Sequence, residues 1–259
     1  MEALNDRKIL VVGASSGLGR ATAIALQRHG ADVAFAARRR DELEAAVAEA
    51  GGGHVATIDV LDPASIQQGV SEAVEALGGL DGIVYTSGTS PMAPMSELTQ
   101  VDWQRVFGVN TFGPNLVINA ALPHLSEDAV VAAVSSDSSS MPRHSLVPYA
   151  ASKRALEATM DGWRTEMLGN RRFVTVILGP TMPTEFANSF DPEAFGAAIP
   201  HWQRQGFRTG IMQADEVAHG LVSCMAALFA APTFGIESIL LRSPEPEVAN
   251  EFSADVEQE

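Results

Sequence analysis

Tyr149 and Lys153 stand four residues apart behind Pro148, downstream of a serine-rich run from Ser135 to Ser140. Proline is favoured in the first turn of a helix, and residues at i and i+4 project from one helix face. Tyr149-Ala-Ala-Ser-Lys153 therefore sets a phenol beside an ammonium group. A free phenol titrates near about 10 and exchanges protons poorly at neutral pH, but a cation fixed close by favours the phenolate and lowers that value. A tyrosine so placed is a usable acid or base.

Far upstream, Gly13-Ala14-Ser15-Ser16-Gly17-Leu18-Gly19 follows the strand-like Ile9–Val12 and precedes the helix-like stretch from Arg20 to Leu26. In that setting the glycines permit a tight turn and close approach of a pyrophosphate, whose charge the helix N-terminus favours. The same residues spell the Gly-x-Ser-x-Gly elbow of serine hydrolases, which also joins a strand to a helix. A hydrolase needs an oxyanion loop from an earlier strand, yet only twelve residues precede Gly13. It also needs a later acid and histidine, for which His201 and His219 are available, and it leaves Ser136, Tyr149 and Lys153 without a task. Proton transfer on a bound dinucleotide uses all of these groups.

Over roughly residues 8 to 241 the chain resembles the short-chain dehydrogenase/reductase family, through the glycine turn, Asn110 in Val109-Asn110-Thr111-Phe112-Gly113, Ser136 and Tyr149-x-x-x-Lys153. The resemblance implies that Ser136 hydrogen-bonds the substrate oxygen, with Ser138 as the fallback, and that Tyr149 passes the proton. Lys153 would lower the Tyr149 pKa and hold the nicotinamide ribose, while Asn110 would anchor a relay water beside Lys153. Cofactor contacts would come from Gly13, Ser15, Ser16, Gly17, Leu18 and Gly19 in the turn, and from Asp59 and Val60 near the adenine. Gly88 after the fourth strand, the catalytic residues Asn110, Tyr149 and Lys153, and Thr184 near the nicotinamide amide would complete the set. The chain departs from the family at Thr86-Ser87-Gly88, where Asn-Ala-Gly is usual, and at Gly179-Pro180, where Pro-Gly is usual. The segment from Ile236 to Arg242 resembles the NADP-linked hydroxy-acid dehydrogenase branch.

Cofactor choice is expected to turn on the end of the second strand, where an acid would bond the 2′-hydroxyl of NAD and a base would accommodate the 2′-phosphate of NADP. Ala37 stands in the acid's place and Arg38 follows it, with Arg39 adding a smaller contribution and Arg40 opening the next helix. Guanidinium forks match phosphate oxygens, so NADP(H) is expected ahead of NAD(H).

With 259 residues, 46% of them hydrophobic, the chain can bury a large core, and no composition break divides it. One domain over 1–242 is expected. A formal charge of −15 and a pI near 4.7 disfavour nucleic acid and anionic lipid as partners. Cys224 is the only cysteine, no export signal precedes the first strand, and the apolar stretch from Leu221 to Ala231 is too short to span a bilayer. A cytoplasmic protein is the expectation. The six histidines have no metal-ligand spacing, so no metal is expected.

Short β-branched runs alternate with segments of helical period, the pattern of strand–helix–strand crossovers. Ile9–Val12, Val33–Ala36, Val55–Ile58, Gly82–Thr86, Val130–Ser135, Phe173–Leu178 and Ser238–Leu241 are the expected strands. They predict a three-layer α/β/α sandwich, a Rossmann-type doubly wound and mostly parallel seven-stranded sheet, with the site at the carboxyl ends of the strands. Residues 181–213 are far longer than an ordinary connection and read as a substrate lid. Its Met182, Phe186, Phe190, Phe195, Ile199, Trp202, Phe207, Ile211 and Met212 predict a small carbonyl or alcohol substrate with an apolar body. Residues 243–259 read as a solvated acidic tail. By resemblance, the helices carrying Asn110 and Tyr149 would form a homodimer or homotetramer. The alternative to an enzyme is a dinucleotide-binding regulatory protein of the same fold.

Overall fold

The computed structural model describes residues 1–167, 169, 171–206 and 210–244, so Phe207 of the expected lid and nearly all of the expected tail, 245–259, lie outside the described residues. The strands are β1 (Lys8–Val12), β2 (Asp32–Ala37), β3 (His54–Thr57), β4 (Leu80–Tyr85), β5 (Leu125–Ser136) and β6 (Arg172–Leu178), with two-residue strands β7 (Thr181–Met182) and β8 (Met212–Gln213), then β9 (Ser238–Leu241). Helices α1 (Gly17–Arg28), α2 (Arg40–Ala50), α3 (Pro63–Leu77), α4 (Gln100–Phe107), α5 (Gly113–Ala121), α6 (Val147–Glu166), α7 (Pro192–Arg204) and α8 (Ala214–Ala230) connect them.

Seven strands form one sheet in the order β3-β2-β1-β4-β5-β6-β9, and every neighbouring pair is parallel. A parallel sheet needs cover on both faces, which is why β1 reads as an unbroken apolar run: Ile9, Leu10, Val11 and Val12 are all fully buried. Alternate side chains serve opposite layers. Ile9, Val11, Phe35 and Val84 pack with Ile24 of α1, Leu43 of α2 and Leu221 of α8, whereas Leu10, Val12, Ile83 and Tyr85 pack with Ile66 of α3, Ile118 of α5 and Leu156 of α6. Truncating a side chain such as Phe35 to alanine would cost about 3–5 kcal/mol.

Chain order reverses between β1 and β4, which opens a crevice beyond their carboxyl ends. Helix boundaries follow local chemistry. Asp62 accepts from Ala64 N at 2.9 Å with Pro63 next to it, and Gly51 (φ 83°) and Gly78 (φ 73°) close α2 and α3 in the left-handed region.

Two features were not expected from sequence. β5 begins at Leu125, five residues ahead of the Val130 start read from the apolar run, because Leu125 pairs with Leu80 and the polar residues that follow it are taken up in a register shift before Val130 pairs with Gly82. The 181–213 insertion is anchored by a second, two-stranded parallel sheet, Thr181 opposite Met212 and Met182 opposite Gln213, with α7 between. No helix among the described residues is long and apolar enough to cross a membrane.

Candidate active site

Ser136 ends β5 and Tyr149 opens α6, so the sheet's carboxyl edge and a helix start deliver a hydroxyl and a phenol to one point. The Ser136 hydroxyl is close enough to the phenol to favour its ionised form, and Ser136 Oγ accepts from Ser138 N at 3.2 Å. Ser136, not Ser138, is thus the serine that meets the tyrosine. Lys153 lies one helical turn below Tyr149 and is 2% exposed.

Lys153 is expected from sequence to lower the Tyr149 pKa, and here the balance is reversed. Burial pushes the phenol up to about 12, with Asp137 adding to the rise, while the Ser136 hydroxyl and the Arg143 charge pull the other way. The ammonium sits 5.8 Å from the Tyr149 ring centroid and donates to Val134 O at 2.7 Å. Its charge is directed at the β5 main chain. Burial draws Lys153 itself down to about 8, and the Glu157 carboxylate opposes that fall. Glu157 is held in turn by Ser135 Oγ at 2.7 Å and by Arg154 at 3.1 Å.

Asn110 occupies a π-helical turn, Gly108–Phe112, between α4 and α5. Such turns widen the helix and recur at functional sites. The side chain is fully buried: Nδ2 donates to Thr89 O and to Ser152 Oγ, both at 2.9 Å, and Oδ1 accepts from Thr89 N at 2.9 Å. Both amide hydrogens are engaged, so the side chain acts as a clamp between the loop after β4 and α6. Ser152 passes the link on, donating to Tyr149 O at 2.8 Å. Gly88 faces this cluster; a Cβ there would lie 3.7 Å from Lys153 Nζ and 3.8 Å from Asn110 Oδ1.

The glycine turn has the shape of a phosphate cradle. Gly13 (φ 99°) cannot carry a side chain, since a Cβ would come within 2.4 Å of Thr86 Oγ1, and one at Gly19 would come within 2.2 Å of Gly13 O. Thr86 explains its own departure from the family pattern: its hydroxyl donates to Val12 O at 2.8 Å and braces the turn from below. Leu18 packs into the core, and Ser16 caps α1 without bonding its amides through a side chain. Ser15 Oγ accepts from Arg39 Nη2 at 3.0 Å. Arg39 also makes a two-pronged ion pair with Glu185, at 2.9 and 2.8 Å, and this pair, with a smaller contribution from Ser16, holds the Glu185 carboxyl below the usual carboxylate range. Arg38 is exposed and adds its field at Glu185. An anion already sits where the turn and both arginines converge, so these residues fit a phosphate. Asp59 is half-buried and caps its own turn through Leu61 N at 3.0 Å, and Val60 is buried against the Gly113 position. Thr184 lies over the turn, its Cα 3.2 Å from a Cβ position on Gly17.

Above the tyrosine, the insertion contributes an aromatic chain. Phe186 packs 4.7 Å from the Tyr149 ring, then Phe190, Phe195 and Trp202 follow at 5.2, 6.3 and 5.6 Å between successive centroids. A cavity of about 370 Å³ opens between the loop before α6 and the end of α7, lined by Arg143, His144, His201 and Arg204 among others. His144 and His201 stack at 3.9 Å, and His219 meets His29. Neither His201 nor His219 is therefore placed as the base of a Ser15 hydrolase. Ser152, Glu157, Arg143 and Glu185 were not singled out in the sequence, because their roles come from contacts between separate segments.

A doubly wound dinucleotide-binding sheet with serine, tyrosine, lysine and asparagine at its carboxyl edge defines a class of nicotinamide-cofactor oxidoreductase folds. The chain belongs to the short-chain dehydrogenase family, whose description matches residues 7–194. It is 32% identical over 228 residues to glycine betaine reductase ATRR of Emericella nidulans, covering 85% of this chain and 17% of that protein. It is 36% identical over 160 residues to the uncharacterized oxidoreductase YghA of Escherichia coli, covering 59% of this chain and 54% of that one. The chain thus spans about half or less of the length of these relatives. A short-chain dehydrogenase from Burkholderia cenocepacia, solved in complex with NADP, is 26% identical with a TM-score of 0.78, over 92% of this chain and 97% of that one.

Proposed function

We propose that this protein is an NADP(H)-dependent oxidoreductase that interconverts a carbonyl and a secondary alcohol. The observation that carries the reading is the meeting of Ser136, at the end of β5, with Tyr149, at the start of α6, over the buried Lys153. When bound, the cofactor supplies or accepts the hydride. Ser136 would hydrogen-bond the substrate oxygen, and Tyr149, protonated across the neutral range, would donate its proton as the alcohol forms. Lys153 and Gly88 would face the nicotinamide ribose, and Asn110 keeps that wall in place by clamping the loop after β4 to α6.

NADP(H) is favoured over NAD(H) because two arginines and Ser15 gather at an anion-holding point beside β2, with Ala37 in the place of the ribose-binding acid. The similarity to an NADP-bound dehydrogenase supports the same choice. The aromatic chain from Phe186 to Trp202 supports a substrate with an apolar body, held under a lid formed by residues 181–213. Val101, Phe112 and Leu116, exposed on α4, the π turn and α5, would meet a second copy in a homodimer or homotetramer. A panel of ketones and alcohols assayed with NADPH, NADH and their oxidised forms tests the proposal. Turnover with NADPH that is lost in Tyr149→Phe is the expected result, and absence of turnover and of dinucleotide binding would overturn it.

A further inference from the structure

The segment Pro183–Phe186 lies along the crevice and touches it at three places. Thr184 rests on Gly17 of the turn, with Thr184 Cα 3.2 Å and Pro183 O 3.5 Å from a Cβ position there. Glu185 holds Arg39 through both carboxylate oxygens, at 2.9 and 2.8 Å. Phe186 covers the ring of Tyr149 at 4.7 Å. Consecutive residues thus lie on the turn, on the arginine beside β2 and on the proton-transfer group.

We propose that Glu185 stands in for the cofactor's 2′-phosphate, latching this strap shut until a phosphate-bearing dinucleotide displaces it from Arg39. The inference rests on the NADP(H) reading of the same crevice. A carboxylate and a phosphate present the same acceptor geometry to a guanidinium fork, and only one of them can take both prongs of Arg39. Displacing Glu185 frees the residue before Phe186, so phosphate recognition at one end of the crevice is tied to uncovering Tyr149 at the other. NAD(H), lacking the phosphate, has no group that competes for Arg39. Glu185 is therefore a specificity-determining residue: it lowers affinity for both dinucleotides by the fraction of strap held closed, and only NADP(H) carries the group that releases it.

Arg39 and Glu185 are 45% and 50% exposed, so the latch is a solvent-screened ion pair of modest strength, and the shift on removing it is about two- to fivefold. The test uses adenosine 2′,5′-bisphosphate and adenosine 5′-monophosphate as probes beside NADPH, titrated into the full chain and into Glu185→Gln and Glu185→Ala. Both variants should bind the bisphosphate and NADPH about two- to fivefold more tightly than wild type. In hydrogen exchange, the bisphosphate should raise exchange across residues 184–190 of the wild type, the monophosphate should not, and the variants should start high without any probe. Unchanged or weaker bisphosphate binding in both variants, with normal NADPH binding by the wild type, overturns the latch and leaves the cofactor reading standing. A wild type that binds neither NADPH nor NADH overturns both.

Discussion

The floor of the crevice and the strap above it are built on opposite terms. Asn110, Lys153 and Ser136 are 0, 2 and 7% exposed, and each is fixed by hydrogen bonds to the main chain of a different element. The strap is exposed at Pro183 and Glu185, and it meets the floor through a screened ion pair, a ring contact and the backbone touch at Gly17. The groups proposed to transfer the proton are buried in the sheet edge, where an unpaired polar atom is costly. The groups proposed to yield to a ligand lie at the surface, where exchanging one partner for another costs little.

Changes in the floor should therefore be severe and changes around the strap graded. Tyr149→Phe removes the phenolic proton alone, so turnover should fall by on the order of 10² to 10⁴ while cofactor affinity measured by titration stays nearly constant. A variant that keeps most of its rate would show that another group moves the proton. Asn110→Ala leaves the main-chain N–H and C=O of Thr89 without these partners and removes the donor to Ser152 Oγ, with an expected loss of roughly 2 to 3 kcal/mol in urea unfolding. A loss near zero would mean that the clamp is not structural.

Smaller effects should appear at the rim. Arg39→Ala should weaken NADPH binding by about tenfold and leave NADH little changed, since an arginine–phosphate bond contributes on the order of 1.5 kcal/mol at a partly exposed site. Arg38→Ala measured beside it ranks the two cations: from sequence Arg38 leads, whereas Arg39 alone reaches Ser15. The smallest expected change concerns pH. Lys153 is drawn to about 8, so it loses its charge as pH rises through that value, and kcat/KM for reduction should bend downward near pH 8. The Glu157 carboxylate raises the Lys153 pKa, so Glu157→Gln should lower it and move the bend to lower pH. A bend that stays in place, or moves upward, would assign that titration to another group.

Much of this was readable along the chain. The strands Ile9–Val12 and Phe173–Leu178 were visible because strands covered on both faces must be apolar in sequence. The glycine turn and the Tyr149–Lys153 pair were visible because a turn and a helix face are local geometries, set within a few residues. β7 and β8 were not readable, since two residues each carry no periodicity, and their pairing joins Thr181 to Met212 across the whole insertion. Nor was the π turn at Asn110, which is stabilised by Thr89 and Ser152 from other segments.

The types and order of the chemical groups are thus properties of the sequence. Tertiary structure decided how those groups are tuned and covered. Burial outweighs the neighbouring lysine at Tyr149, Lys153 turns its charge to Val134, and Arg39 finds its carboxylate 146 residues away. Desolvation and pairing depend on which distant segments close around a group, and local spacing carries no record of that.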